Sequence, residues 1–440
     1  MPRRIIAMLP AVLAILWLTQ GSPCRADNWP QWRGPEGNSN SRETGLPIEW
    51  GENRHVVWKT PLPEWGTSSP SIWQAAVFIT SETDGKLLLL KIDKATGAVV
   101  WTREVGSGAA NRLLPNGQKR APKFHELHNL ASPTVVVDGE RAIVHFGNGD
   151  LASYTFAGDL EWKHNLSEEH GRYTIWWGHA NSPVLYGNLV ISVCMQDSLA
   201  GISTEKELSP SYVLALDKAT GKFAWKTPRM TGADAEQCDS YTTPVFTRVG
   251  GKTQMILMGG NQLDAYDPAT GKQLWHLPGL VGGRTITGPT AGNGMVFATV
   301  GMRGPLHALR LTDALAGDLS PQDAVAWKHT DSTPDTCCPV LWGDLLFVVA
   351  DNGVATCSDV KTGRTSWKER LGGNFKASPV AAEGRVYFLN REGACTVVKA
   401  ADKFEKLAEN RLDDEFTASP AVSDGRIFLR GRKFLYAIGE

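Results

Sequence analysis

The sequence predicts an all-β protein, a closed ring of eight four-stranded units. Three observations point there. A nine-residue string, Asp-x-x-Thr-Gly-x-x-x-Trp, occurs four times, from Asp93 to Trp101, Asp217 to Trp225, Asp267 to Trp275 and Asp359 to Trp367. A second string, a small residue followed by Pro and an apolar residue, opens the units. Its prolines are Pro70, Pro133, Pro183, Pro244, Pro289, Pro339, Pro379 and Pro420, spaced 40 to 63 residues apart. The third observation is composition: 45 Gly, 25 Pro and 16 Trp supply many turns and many large anchors, which repeated short strands need and helices do not.

Each element of a unit has a local cause. The first strand follows the Pro. A Gly-x-apolar-apolar stretch such as Gly187-Asn188-Leu189-Val190-Ile191 gives the second, and Val213-Leu214-Ala215-Leu216 gives a third. The Asp-x-x-Thr-Gly turn comes next. Its Asp and Thr side chains can bond the local backbone, and its Gly supplies the positive φ of a tight turn. Trp then anchors the fourth strand. Degenerate copies run from Gly158 to Trp162 and end at Trp327. The last unit stops after Phe434 to Ile438 without a Trp-bearing strand, while a spare one, Val56-Val57-Trp58-Lys59, precedes the first Pro. Pairing the two closes the ring and removes an exposed edge. The expected architecture is an eight-bladed β-propeller over residues 55–440, with a Trp in the last strand of each blade.

The N-terminus reads as an address. Arg3 and Arg4 precede an apolar run from Ile5 to Leu18 and a small-residue region ending at Ala26. This is the pattern of a secretory signal peptide over residues 1–26, followed by a leader over 27–54. Its removal takes away three Arg and no acid, leaving 42 basic against 46 acidic residues, a net charge of −4. With no Lys/Arg run longer than two, nucleic acid is not an expected partner. The expected product is exported to the periplasm or beyond, monomeric, and without a transmembrane segment after cleavage.

The repeat strings resemble the PQQ-like tryptophan-docking repeat over roughly Val56 to Glu440. That repeat occurs in quinoprotein alcohol dehydrogenases and in the scaffold lipoprotein of outer-membrane β-barrel assembly. The leader Asn28-Trp29-Pro30-Gln31-Trp32-Arg33-Gly34-Pro35 is similar to the opening of secreted bacterial PQQ-like proteins. The resemblance implies the fold. For function it implies either a scaffold or an oxidoreductase with PQQ and Ca²⁺ at the mouth of the ring. It also raises a disulfide between the adjacent Cys337 and Cys338, although Cys338-Pro339 occupies the small-residue-Pro slot of the sixth unit.

Catalytic signatures are absent from the sequence. There is no Gly-x-Ser-x-Gly elbow, no phosphate-binding Gly-rich loop and no Cys-x-x-Cys. His125-Glu126-x-His128 is not a His-Glu-x-x-His zinc motif, and no metal ligands are assigned. Asp93, Asp217, Asp267 and Asp359 are turn formers. The register instead gathers the segments before each Pro, and the turns after each second strand, on one face. The first set brings Trp177, His179, Tyr241, Arg284 and Lys376; the second brings Asp197, Arg303, Asp351 and Arg391. Insertions around Thr102 to Leu130 and Lys163 to Ala180, with Trp176, feed the same face. The expected function is a non-catalytic scaffold whose mouth takes a protein or a small acidic, aromatic ligand. Arg284 and Lys376 are expected there as exposed cations. The alternatives are a PQQ- and Ca²⁺-dependent dehydrogenase and a carbohydrate-binding propeller; no cofactor is assigned to the scaffold itself.

Overall fold

The computed structural model describes residues 28–108, 126–175, 177–196, 211–233 and 235–440. The expected signal peptide, His125, Trp176 and Asp197 lie outside them. Eight antiparallel sheets are present, each built on four strands in meander order. Blade one, for example, comprises Ser71–Trp73, Ala76–Thr83, Lys86–Asp93 and Val99–Ser107. The described helices are short: Leu166–His170, Pro321–Ala324 and a 3₁₀ turn at Ala235–Gln237. No described helix is long and apolar enough to cross a membrane.

Closure follows the expected route. The strand Val56–Pro61 pairs antiparallel with Phe434–Ile438, placing the chain's first long strand at the outer edge of its last blade. The repeated turn also behaves as its residues dictate. Asp93 Oδ1 accepts from the Ala95 and Thr96 amides and from Thr96 Oγ1, and Asp359 does the same with Lys361 and Thr362. The hydroxyl bonds hold both carboxyls below their usual range.

The turn glycine has a second duty that its φ does not reveal. A Cβ on Gly97, Gly221, Gly271 or Gly363 would lie 2.3–2.8 Å from the indole of the preceding blade's Trp: Trp58, Trp162, Trp225 or Trp327. Each tryptophan therefore docks flat on the next blade's turn. Trp58, Trp162 and Trp327 also donate Nε1–H to a carbonyl there, at Lys94, Lys218 and Val360, at 2.9–3.0 Å. The expectation of a Trp in every blade fails in blade seven, where Ala408 pairs with Val397 at the equivalent register. Blade eight takes its outer strand from the N-terminus and has no turn between third and fourth strands to meet a tryptophan there.

Near the channel a second belt joins the blades. One residue per blade sits at the start of the innermost strand, and its backbone N–H donates to the side chain of its counterpart in the next blade. The pairs are Ser69 to Thr134, Thr134 to Ser182, Ser182 to Thr243, Gly288 to Cys338, Cys338 to Ser378 and Ser378 to Ser419, at 2.9–3.2 Å. In blade two this slot is Thr134, one residue after Pro133, because the strand start there is shifted by one relative to the other blades.

The leader crosses the channel. Trp29 exchanges backbone bonds with Ile72 of blade one, and Pro30 accepts from Val137 of blade two. Arg33 reaches Pro289 and Thr290 of blade five, and Asn40–Ser41 adds a parallel strand to the inner edge of blade seven.

These contacts make two expectations measurable by urea denaturation and light scattering. Deleting residues 26–60 uncovers the edge at Phe434–Ile438 and should cause aggregation or a large fall in melting temperature. Trp275, 1% exposed with Nε1 bonded to Gln254 Oε1, should cost about 3–5 kcal/mol when changed to Ala. Trp225 is half-buried, and its alanine variant should lose less than about 3 kcal/mol.

Candidate functional site

The loops before each innermost strand converge on one cavity of about 260 Å³ at the channel mouth. Its floor is Trp32 of the leader, which the sequence pattern left without a role. A Cβ on Gly288 would meet the Trp32 ring at 3.3 Å, so the missing side chain makes room for the indole. One wall is aromatic: His128, Trp177 and Tyr241, from blades two, three and four, with the His128 and Tyr241 rings 6.4 Å apart. The opposite wall carries Arg284, Thr336 and Lys376 from blades five, six and seven.

Those cations are not exposed and waiting, as the sequence suggests. Arg284 Nη2 lies 3.0 Å from Asp335 Oδ2, and Lys376 Nζ lies 2.6 Å from Asp351 Oδ2. The two pairs are linked, since the Asp335 amide donates to Asp351 Oδ1 at 2.9 Å. Asp351, only 8% exposed, also accepts from the amide and hydroxyl of Thr336. Asp351 thus fixes the rim of blades six and seven from below and does not line the cavity. Asp335, which the sequence reading passed over, is the link between Arg284 and Asp351. It stands four residues before Pro339, in the segment leading into the innermost strand of blade six, and that position is the one sequence signal it carries.

The remaining expected mouth residues divide. Arg391 lies on the same face but pairs with Glu415 at 2.8 Å, and its amide holds the neighbouring loop through Asn374 O. Arg303 is exposed, adopts φ +63°, and lends its carbonyl to Thr333 Oγ1. Neither lines the cavity. His179 is a correction: it is 1% exposed, stacked on Tyr173 with centroids 4.8 Å apart and set 4.7 Å from His145. Its ring belongs to the packing beneath the mouth. The adjacent disulfide is a second correction. Cys337 and Cys338 are separate buried thiols, and Cys338 Sγ is committed to the Gly288 amide in the inter-blade belt. Burial pushes the Cys337 thiol well up.

Residues 43–208, 209–310 and 312–404 match a family model described as "Outer membrane protein assembly factor BamB". Among curated proteins no relative matches the chain. Solved structures similar to it include BamB from Moraxella catarrhalis, 11% identical over 87% of this chain and 99% of that one, with a TM-score of 0.57. A quinohemoprotein alcohol dehydrogenase from Comamonas testosteroni is 12% identical over 93% of this chain and 80% of its own, with a TM-score of 0.63. The alcohol dehydrogenase ADHIIG from Pseudomonas putida HK5 gives 12%, 93%, 80% and 0.62. At such identities the likeness is one of fold.

The histidines beneath the mouth set a pH dependence. Burial pulls His145 from 6.5 down to about 4, against an opposing pull from Asp150, and His179 is lowered well below its ordinary value by burial and by His145. Both are neutral when folded. The unfolded chain takes up protons below about pH 6.5 that the folded one refuses, in the case of His145 until about pH 4, so stability falls as pH drops through that window. His145 alone accounts for roughly 3 kcal/mol between those limits. Urea titrations at pH 7.5, 6 and 4.5 should show this fall, and His145→Gln should flatten it.

Proposed function

We propose, because the chain belongs to the family described as outer membrane protein assembly factor BamB, that it is an exported scaffold that binds a protein partner at the channel mouth. The observation that carries this reading is the cavity itself. It is aromatic on one side, lined on the other by cations already neutralised, and about 260 Å³ in volume. Pockets that enclose a whole ligand run from roughly 300 to 1,000 Å³. This one suits a single anchor side chain of a larger partner, the geometry of an interface hot spot.

Among the described residues the one His–hydroxyl contact lining the cavity, His128 Nδ1 to Ser132 Oγ at 3.2 Å, has its Oγ donating to the Asn129 carbonyl at 2.7 Å. Arg284 and Lys376 are engaged by Asp335 and Asp351, and the hydroxyls around the channel accept the belt's N–H groups. The dehydrogenase likeness suggests a second reading, with PQQ in the same mouth and Ca²⁺ beside it. The donor set fits it poorly. The two mouth cations that would meet a ligand's carboxylates are taken, the cysteines are separate, and among the described residues no group of three His, Cys, Asp or Glu side chains could hold a metal.

Photo-crosslinking tests the scaffold. A benzoylphenylalanine at position 177 or 241 should give one discrete protein adduct in the producing cell, and one at position 267 on the opposite face should give none. Trp177→Ala with Tyr241→Ala should abolish capture from a crosslinker placed at position 417. Titration of the purified protein with PQQ and Ca²⁺ should give neither saturable binding nor dye reduction. Saturable PQQ binding with turnover would replace the scaffold reading by the oxidoreductase one.

A further inference from the structure

Two buried guanidinium groups lie behind the mouth, and among the described residues neither is paired with an acid. Arg33 is 1% exposed. It donates to Thr290 Oγ1 at 2.8 Å and Pro289 O at 2.5 Å, and its guanidinium carbon lies 4.9 Å from the Trp32 ring that floors the cavity. Arg430 is also 1% exposed and donates to Ser68 O at 3.1 Å, to Ser68 Oγ and to Thr80 O, directly behind the wall formed by Thr67 and Ser69. Among the described residues neither has a carboxylate partner. Burial pulls Arg430 down to about 9, so it remains charged at neutral pH. An unpaired buried cation is costly, and an anion nearby relieves that cost.

The cavity wall offers hydrogen bonds of the matching kind. Thr134, Ser182, Thr243, Ser378 and Ser419 all line it, each at most 6% exposed. Every one of these hydroxyls accepts a neighbouring blade's N–H. A hydroxyl that accepts still has its own proton to donate. Those five protons have no acceptor among the described residues. No Asp or Glu is among the described residues lining the cavity, although Arg284, Lys376 and His128 are.

We infer that the throat of the channel is a carboxylate site, a ring of O–H donors near two buried guanidinium groups that have no carboxylate partner among the described residues, which receives an Asp or Glu side chain of the partner. This deepens the scaffold reading, on which the identity of the carrier rests. The aromatic wall then packs the stem of that side chain or its neighbour, while the hydroxyl ring takes the charged end. Arg284 and Lys376 serve as the rim, each already holding its own acid.

The test uses the full exported chain and two small probes of equal shape, phenylacetate and phenylacetamide, compared by calorimetry at pH 7 and fixed low ionic strength. Phenylacetate should bind at least about tenfold more tightly. Thr134→Val with Ser378→Ala removes two of the donors, and the preference should fall below about threefold. Should that variant not fold, Arg33→Met, which removes the charge under the floor, should lower the preference in the same direction. Equal affinity for the two probes, binding of neither, or a preference unchanged in the variants would overturn the carboxylate site. Because no partner is present, the ratio stands or falls separately from the crosslinking result. A crosslink at 177 with no carboxylate preference would leave the scaffold and remove the throat from it.

Discussion

One contact recurs at four blade boundaries of the ring, an indole lying on a glycine. A blade shows its neighbour a turn whose glycine has φ near +70° and no Cβ, and the preceding tryptophan fills that space. Two requirements coincide at a single residue. The turn needs a left-handed backbone, and the neighbouring blade needs a flat platform for a large apolar ring. Any side chain would fail both, so Asp-x-x-Thr-Gly and Trp are coupled across a blade boundary although they lie in one sequence string. Each of the four copies thus provides a socket for the previous blade's tryptophan.

Blade eight draws its outer strand from Val56–Pro61, so the chain never makes the turn that would hold a socket, and blade seven ends in Ala408 and not Trp. Trp101 and Trp367 reach the next blade without a glycine, through the carbonyls of Phe156 and Ala401. The inner belt shows the same logic at its own gaps. Where blade five has Gly288, with no side chain to accept the Thr243 amide, Trp32 of the leader fills the space. Where blade eight meets blade one, Arg430 bridges to Ser68 and Thr80. The leader is therefore not an appendage. It completes the ring's inner surface at the point where the repeat lacks a side chain, and in doing so gives the cavity its floor.

Much of this was legible because repeats report themselves. The turns, the tryptophans and the spare N-terminal strand each break the polarity pattern in a fixed order, and ring closure followed from counting. The convergence of Trp177, Tyr241, Arg284 and Lys376 was legible for the same reason, since register alone places them. What register could not give was partnership. Asp335 and Asp351 come from different positions in the repeat, and only the bend of the blade-six loop brings both beside the cations. His179 occupies a mouth register yet turns inward onto Tyr173, because an insertion lengthens that loop and frees its path. The shift to Thr134 was hidden by a proline that sits one residue early. Trp32 and Arg33 had a signal that went unused: a segment without strand alternation that carries two tryptophans must pack on something.

The same physical argument limits what the mouth can do. Rim cations that hold their own carboxylates contribute shape and fixed dipoles but little net attraction, and removing one would strand its partner, with Asp351 almost fully buried. On the proposed reading the attraction comes from the cations that lack a carboxylate partner among the described residues, Arg33 beside Trp32 and Arg430 behind the wall. On that reading a partner would meet a neutral aromatic rim first and a positive throat second. Such an order favours recognition by an inserted side chain over capture by surface charge, because the desolvated interior strengthens every interaction made there. The same reading makes the leader part of the binding site, with Trp32 limiting the depth to which a side chain would enter and Arg33 beside it favouring an acidic one.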